Sequence, residues 1–310
     1  MNSVTVLVPA TTANLGPGYD CLGLALGLHN EVCLTLADEP GLEIEGEGAE
    51  SLPRDATHLV LGAVQAAADA AGRRLPPLHL RQRNRIPLAR GLGSSSAAIV
   101  GGVVAANELL ELGLNRRQML DVAIEVESHP DNVAPALLGG LTICCAQDCG
   151  EVFVERLDVA EGLSCVVAIP DFEVATREAR RVLPQTINHS DGVSNSCRVG
   201  LVVVGLTTGN FSLLREAMRD RLHQPYRAHL VPGMDDAIAA AVEAGAHGAA
   251  LSGSGPTIAA FVTDHGEEVG EAMVNALHRA GTRAIARRLP LAREGAQVVA
   301  SSGAERRDAS

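Results

Sequence analysis

Pro87-Leu88-Ala89-Arg90-Gly91-Leu92-Gly93-Ser94-Ser95-Ser96-Ala97-Ala98 is the stretch on which the reading of this chain turns. It joins an alternating strand candidate, residues 78–83, to an apolar segment, residues 98–112, that reads as a buried helix. Glycines let the backbone approach an anion closely. The first free N–H groups of the following helix favour negative charge in the loop. Serine hydroxyls add donors for phosphate oxygens, or ligands for a magnesium ion, which keeps few protein ligands. Alone, such a loop is a glycine-rich turn with a serine N-cap. Twelve residues set between a strand and a helix favour the anion site. Gly101 and Gly102 cost that helix about 1 kcal/mol each relative to alanine, which points to close packing around it.

The wider composition narrows the classes. The chain has 310 residues, about two domains at roughly 150 residues each. Hydrophobic residues at 46% and charged residues at 20% are ordinary globular values, unlike those of a disordered or fibrous chain. Trp is absent and aromatics make up 2%, so base-stacking faces for single-stranded nucleic acid are missing. The net charge of −12 argues against a nucleic-acid backbone partner but leaves room for a local basic site. All 25 basic residues are arginines. A Walker-type loop and Schiff-base chemistry both need lysine, so both are excluded. Seven cysteines (Cys21, Cys33, Cys144, Cys145, Cys149, Cys165, Cys197) show no C-x-x-C spacing. They read as buried small hydrophobes in a reducing compartment, not as a metal or disulfide framework. The N-terminus has no basic n-region, and the longest apolar run, about ten residues (97–106), is too short to span a bilayer. The expectation is a cytoplasmic protein with no membrane and no nucleic-acid partner.

Along the chain, residues 4–8 read as a strand and 9–20 as a loop of small and turn residues. Residues 22–28 and 31–36 read as a strand pair around His29-Asn30, and 41–50 as a solvated hairpin edge. Helices are expected at 56–71 and 116–127, the latter capped by Asn115 and Gln118 and ended by Pro130. Strands follow at 141–145 and 152–157. The second half reads as strands 164–169, 248–251, 257–262 and 282–287, with helices 176–183, 193–207, 210–218, 235–244 and 267–280. That order suggests a split β-α-β sandwich with helices on one face. Residues 301–310 read as a frayed, disordered tail.

Three motifs, in order, resemble those of the GHMP kinase superfamily. They are the loop above, Val8-Pro9-Ala10-Thr11-Thr12-Ala13-Asn14-Leu15-Gly16-Pro17-Gly18-Tyr19-Asp20, and Leu251-Ser252-Gly253-Ser254-Gly255-Pro256-Thr257. Within the superfamily the chain resembles the homoserine kinase branch. Asn14 to Asp20, His129-Pro130-Asp131-Asn132-Val133-Ala134-Pro135, Thr176-Arg177-Glu178-Ala179-Arg180 and Gln224-Pro225-Tyr226-Arg227 carry that likeness. The resemblance implies an α/β (α+β) GHMP kinase fold. A ribosomal-S5-like N-terminal domain (1–160) would be followed by a ferredoxin-like split β-α-β domain (161–300). It implies transfer of the ATP γ-phosphoryl to the side-chain hydroxyl of L-homoserine, on the route to threonine, with Mg²⁺ and with no phosphoenzyme. A homodimer is expected by analogy alone.

The resemblance also implies roles. Residues Pro87, Leu88, Ala89, Arg90, Gly91, Leu92, Gly93, Ser94, Ser95, Ser96 and Ala97 would bind ATP, with Ser95 and Glu127 holding the metal. Glu127 closes a helix whose dipole disfavours a carboxylate by roughly 0.3–1 kcal/mol unless a cation sits beside it. Glu125 is its neighbouring competitor, and Ser128 stands where relatives commonly have glycine. Asn14, Asp20, His129, Asn132, Thr176, Arg180, Arg227 and Gly253 would contact the amino acid, with Asp20, Asn132 and Arg180 closest to the chemistry. Arg180 and Arg227 can each fork a carboxylate. Asn132 cannot take a proton, so no strong base is expected from its segment. His189, His223 and His247 lack a second ligand at metal spacing and read as structural. The rivals are the same fold acting on shikimate or an isoprenoid precursor, and a relative that binds a ligand without catalysis.

Overall fold

The computed structural model describes residues 2–147 and 150–302, so Cys149 and the tail beyond residue 302 lie outside the described residues. The first half runs β1 (Ser3–Ala13), β2 (Leu22–Leu36), β3 (Gly41–Gly46), α1 (Leu59–Ala70), β4 (Leu78–Asn84), α2 (Ser94–Leu109), α3 (Arg116–Glu127), α4 (Pro130–Leu138), β5 (Leu141–Ala146) and β6 (Val152–Leu157). The second runs β7 (Ser164–Pro170), α5 (Thr176–Arg181), α6 (His189–Thr208), α7 (Leu214–Ala217), α8 (Gln224–Arg227), α9 (Met234–Glu243), β8 (Gly248–Leu251), β9 (Ile258–Val262), α10 (Gly266–Arg279), β10 (Ala284–Pro290) and β11 (Gln297–Ser302).

Seven strands form the first sheet, in the order β11-β1-β2-β4-β3, with β5 pairing β2 and β6 pairing β5. β3 runs parallel to β4 at the edge, so it is not the hairpin expected for residues 41–50. β1 continues through Pro9–Ala13, a segment expected to be loop, because Thr11 and Thr12 pair in register with Ala25 and Leu24. β2 is one strand of 15 residues and not a pair. The register against β1 slips between Pro9 and Ala10, leaving Gly27 and Leu28 unmatched as a bulge. Asn30 is therefore no turn residue. It is buried, and its Oδ1 accepts from the N–H groups of Arg85 (2.8 Å) and Ile86 (3.0 Å), which pins the start of the glycine-rich loop.

α2 is the central helix and is buried on nearly every side. A Cβ at Gly101 would lie 2.6 Å from Val32 Cγ2, and one at Gly102 2.8 Å from the Val60 carbonyl, so both glycines admit close neighbours as expected. The Asn115–Gln118 capping box of α3 is present. Pro130, expected to end α3, also begins α4, an unanticipated helix in which proline stands at the first position.

The second sheet has the order β10-β7-β9-β8, antiparallel throughout, which is the split β-α-β pattern. Its helices are not confined to one face. Val166 and Ala168 of β7 pack in the core lined by α9 and α10. Cys165, Val167 and Ile169 join the main core, together with Val202, Leu206, Leu214 and Met218. Every residue of β7 is buried, as a strand covered on both sides requires. The end of the chain returns to the first sheet: β11 pairs with β1, placing Ser301 and Ser302 opposite Val4 and Ser3. The segment expected to close the second domain, and the first two residues of the supposed tail, thus belong to the first sheet. Among the described residues no helix is long and apolar enough to cross a membrane.

The cysteines only partly match the expected burial. Cys33, Cys144 and Cys165 are buried, Cys21 is half-buried, and Cys145 and Cys197 are exposed. Burial pushes the Cys144 and Cys165 thiols up to about 12, so both are inert.

Candidate active site

A cavity of about 430 Å³ lies where the glycine-rich loop, the loop after β1, the start of α4, α5 and the Ser252–Thr257 turn converge. It brings together Asn14, Asp20, Leu88 through Ser96, Glu127, His129, Asn132, Thr176, Arg180, Arg227 and Gly253. Pro87 and Ala97, expected at the nucleotide, do not line it. Pro87 is buried and Ala97 is wholly inside the main core. Glu125 is exposed and outside the cavity, so Glu127 is the carboxylate that reaches it.

The loop ends earlier than the expected helix start at residue 98, because α2 already begins at Ser94. Gly93 caps it at φ 67°, and a Cβ there would meet Thr11 Oγ1 at 1.9 Å. The N–H groups of Ser94, Ser95 and Ser96 form the first turn and take no partner among the described residues. Ser95 Oγ donates to Glu127 Oε1 at 2.7 Å. Burial holds the Glu127 carboxyl above its ordinary pKa, against the lowering by Ser95 and Ser96.

Ser128 follows at φ 72°, a left-handed C-cap that suits glycine. Ser128→Gly is expected to stabilise the fold by about 0.5–1 kcal/mol, since a left-handed non-glycine residue costs roughly 1 kcal/mol or more. Urea denaturation checks this, and a lowered midpoint would contradict it.

Asp20 sits at φ 55° in a loop with two more left-handed non-glycine residues, Asn14 and Leu15. Arg180 forks it: Nη2 donates to Oδ1 at 2.6 Å and Nη1 to Oδ2 at 2.9 Å. Arg180 Nη1 also donates to the Tyr19 hydroxyl at 2.7 Å. Neither Asp20 nor Arg180 is thus free in the way the sequence reading supposed. Asn14 is occupied as well. Its Oδ1 accepts from Asp20 N–H at 3.0 Å and its Nδ2 donates to the Gly253 carbonyl at 2.9 Å, tying the two loops together.

Arg227 is a cation buried to 2% exposure. Nε donates to the Ala179 carbonyl (3.0 Å), and Nη1 to the Gly253 carbonyl (3.0 Å) and His223 Nδ1 (3.2 Å). Nη2 has no partner among the described residues. Because His223 Nδ1 accepts, its Nε2–H donates to the Gly16 carbonyl at 2.7 Å, and burial lowers its pKa. His223 is structural, as expected, and its task is to orient Arg227. The guanidinium lies 5.3 Å from the centre of the Tyr19 ring, which Arg180 also covers at 5.5 Å. Tyr19 lies in the motif after β1, where sequence spacing alone gives it no role.

Asn132 Oδ1 accepts from Thr11 Oγ1 at 2.7 Å, and its Nδ2 makes one long contact, 3.4 Å to Asp131 Oδ1, which leaves the second amide N–H for a ligand. His129, at the N-cap of α4, has its pKa lowered by burial and by Arg180. Thr176 opens α5, and its Oγ1 lies 3.5 Å from Ser254 Oγ. The cavity extends past the loop to Leu52, Pro53, His58, Leu59 and Gln82, none of which was singled out from sequence. The first four lie in the stretch that leads into α1 and Gln82 lies on β4, so only folding brings them to the loop.

Two family models match, GHMP kinases N terminal domain over residues 58–140 and GHMP kinases C terminal over 202–279. The homoserine kinase of Desulfitobacterium hafniense is 45% identical over 297 residues, covering 96% of this chain and 100% of its own length. The chain belongs to the homoserine kinase family. That of Moorella thermoacetica is 45% identical over 294 residues, 95% of this chain and 99% of its own. A crystal structure of homoserine kinase from Cytophaga hutchinsonii superposes with TM-score 0.87 at 33% identity, covering 96% of this chain and 98% of that one. Membership of the homoserine kinase family makes the chain a GHMP-fold kinase with ATP as phosphoryl donor.

Proposed function

We propose that the chain phosphorylates the side-chain hydroxyl of L-homoserine with ATP, giving O-phospho-L-homoserine for threonine synthesis. The observation that carries this reading is one cavity. Among the described residues, it holds a helix tip with unpartnered N–H groups and, along the same wall, a buried arginine whose Nη2 has no partner.

In this reading the N–H groups of Ser94, Ser95 and Ser96 hold the triphosphate, as a helix N-terminus holds anions, without any ammonium side chain. The apolar pouch around Leu52, Pro53 and Leu59 takes the nucleobase. Arg227 Nη2 takes the substrate carboxylate; Arg180, already forked to Asp20, fixes that loop and lends its charge to the transferring phosphoryl. Asn132 donates toward the reacting hydroxyl and cannot accept its proton. Phosphoryl transfer through a loose transition state asks mainly for such positioning and charge stabilisation. The expected homodimer enters no step of this reading.

Magnesium fits one place. Glu127 and Ser95 give an oxygen-only pair beside the helix tip, and a magnesium ion that keeps its waters and phosphate ligands needs no more from protein. No cluster of three or more His, Cys, Asp or Glu able to hold a metal exists among the described residues, so Glu127 and Ser95 would be the protein's contribution to holding the ion. When bound, the ion neutralises phosphate charge. Glu127→Gln is expected to raise the magnesium concentration for half-maximal rate about tenfold and to lower kcat. An unchanged metal titration would remove Glu127 from the site.

Coupled assay of ADP release with homoserine, shikimate and mevalonate tests the whole reading. Homoserine is expected to be turned over far faster than the others. Turnover of shikimate or mevalonate without homoserine overturns it.

A further inference from the structure

A second cavity, of about 480 Å³, shares no lining residue with the first. Residues of α6, α7, α9 and β8 line it, together with Gln224, the first residue of α8. Its apolar lining is Met218, Ile238, Ala239, Val242 and Ala249. Met218 and Ala249 are buried, whereas Ala239 is exposed, so α9 turns solvent-accessible apolar surface toward the cavity.

Four arginines line it as well, in a chain whose net charge is −12. Three are engaged. Arg198 Nε donates to the Glu216 carbonyl at 3.1 Å, Arg219 pairs with the Glu216 carboxylate at 3.2 Å, and Arg221 pairs with Asp191 at 3.1 Å. Arg215 has no partner among the described residues. The acids of the lining do not answer it. Asp220 is fully occupied, accepting from the N–H groups of Leu222, His223 and Gln224 and from the Asn195 amide. Asp235 and Glu243, both on α9, pair with no guanidinium among the described residues.

Gln224 decides what the cavity lacks. The residue is 8% exposed. Its Oε1 accepts from the Leu251 N–H at 2.6 Å, which fixes the amide's orientation and makes Nε2 the remaining donor. Nε2 has no partner among the described residues, and it is open to the cavity rather than sealed in the core. A donor at that depth is costly to leave unpaired. Water can pair with it, but water makes no use of the apolar lining. An amide donor, an uncompensated guanidinium and an apolar lining in one cavity together describe an anion with a hydrocarbon body.

We propose that this cavity is a second ligand site, for a small monocarboxylate with an apolar body. The carboxylate accepts from Gln224 Nε2 and Arg215, and the alkyl group packs against Met218, Ile238 and Val242. Asp235 and Glu243 repel a second negative charge, so the site rejects phosphate and dicarboxylates. The inference is independent of the homoserine reading, because Arg227 lies at the other end of α8 and lines the first cavity.

The probe is isovalerate, followed by ligand-observed NMR titration of the full chain. A ligand of about seven non-hydrogen atoms supports a Kd of about 1 mM. Binding should persist when homoserine and a non-hydrolysable ATP analogue are present in excess, and inorganic phosphate should not compete. Ala239→Phe fills the cavity from an exposed position, so it should melt as the wild type does and raise the Kd at least tenfold. Arg215→Ser should raise it about tenfold by removing a charge-assisted bond. Gln224→Glu keeps an acceptor for the Leu251 N–H and turns the donor into an anion, so it should abolish binding.

A Kd within twofold of the wild type in either Ala239→Phe or Arg215→Ser would overturn the assignment. Displacement of isovalerate by homoserine or ATP would place the carboxylate in the first cavity and overturn it too. Competition by phosphate as strong as by unlabelled isovalerate would overturn the ligand class. Failure of the wild type to show saturable binding at ten times the expected Kd would overturn the site itself.

Discussion

Arg180→Ala is expected to lower kcat by about 10³-fold, the low end of what a guanidinium at a transferring phosphoryl supplies. The structure gives two reasons for so large an effect. Arg180 forks Asp20 and holds the Tyr19 hydroxyl, so its loss frees the loop after β1. It also removes the cation that offsets Asp20 beside Asp131, so the Asp131 carboxyl, already held up by burial and by Asp20, would be pushed up further. The KM for ATP should change little, since the triphosphate contacts are main-chain groups of another element. Added guanidinium should restore part of the rate if the charge itself matters. A loss below tenfold would show that Arg180 only supports the loop.

Arg227→Ala should act differently, by raising the KM for homoserine about 100-fold with a far smaller change for ATP. A charge-assisted bond to a carboxylate contributes roughly 1.5–3 kcal/mol, which sets that scale. Stability should fall too. The substitution orphans the Ala179 carbonyl and His223 Nδ1, both buried, at about 1–3 kcal/mol each, and takes one of two donors from the Gly253 carbonyl, which keeps Asn14. Kinetics below the melting range separate the two effects. Equal rises in both KM values would mean that Arg227 serves the fold and not the substrate.

Much of this site was legible before any coordinates. The glycine-serine loop, Glu127, Asn132 and the two arginines lie in local motifs with distinctive residue types, and one cavity gathers them. Most strands and helices of the second half were legible because their apolar runs are short and bounded by turn residues; α8 and β11 were not. The failures have local causes. Pro9 and small residues masked the outer half of β1, although Thr11 and Thr12 are β-branched. Asn30 looked like a turn because asparagine favours turns, yet here it serves two N–H groups distant in sequence. Pro130 was read as a stop, although proline at the first position with aspartate next is also a start.

Asn14 lines the cavity, and folding also makes its amide bridge Asp20 to Gly253, which spacing along the chain does not reveal. Spacing along the chain located the cleft. Which of its polar groups remain free was decided by tertiary contacts.

The central claim is that main-chain N–H groups at the tip of α2 hold the triphosphate in a protein without lysine. A crystal structure of the chain with homoserine and a non-hydrolysable ATP analogue tests it most directly. The account predicts phosphate oxygens within hydrogen-bond distance of the N–H groups of Ser94, Ser95 and Ser96. A triphosphate bound elsewhere, with those groups facing only water, would contradict it.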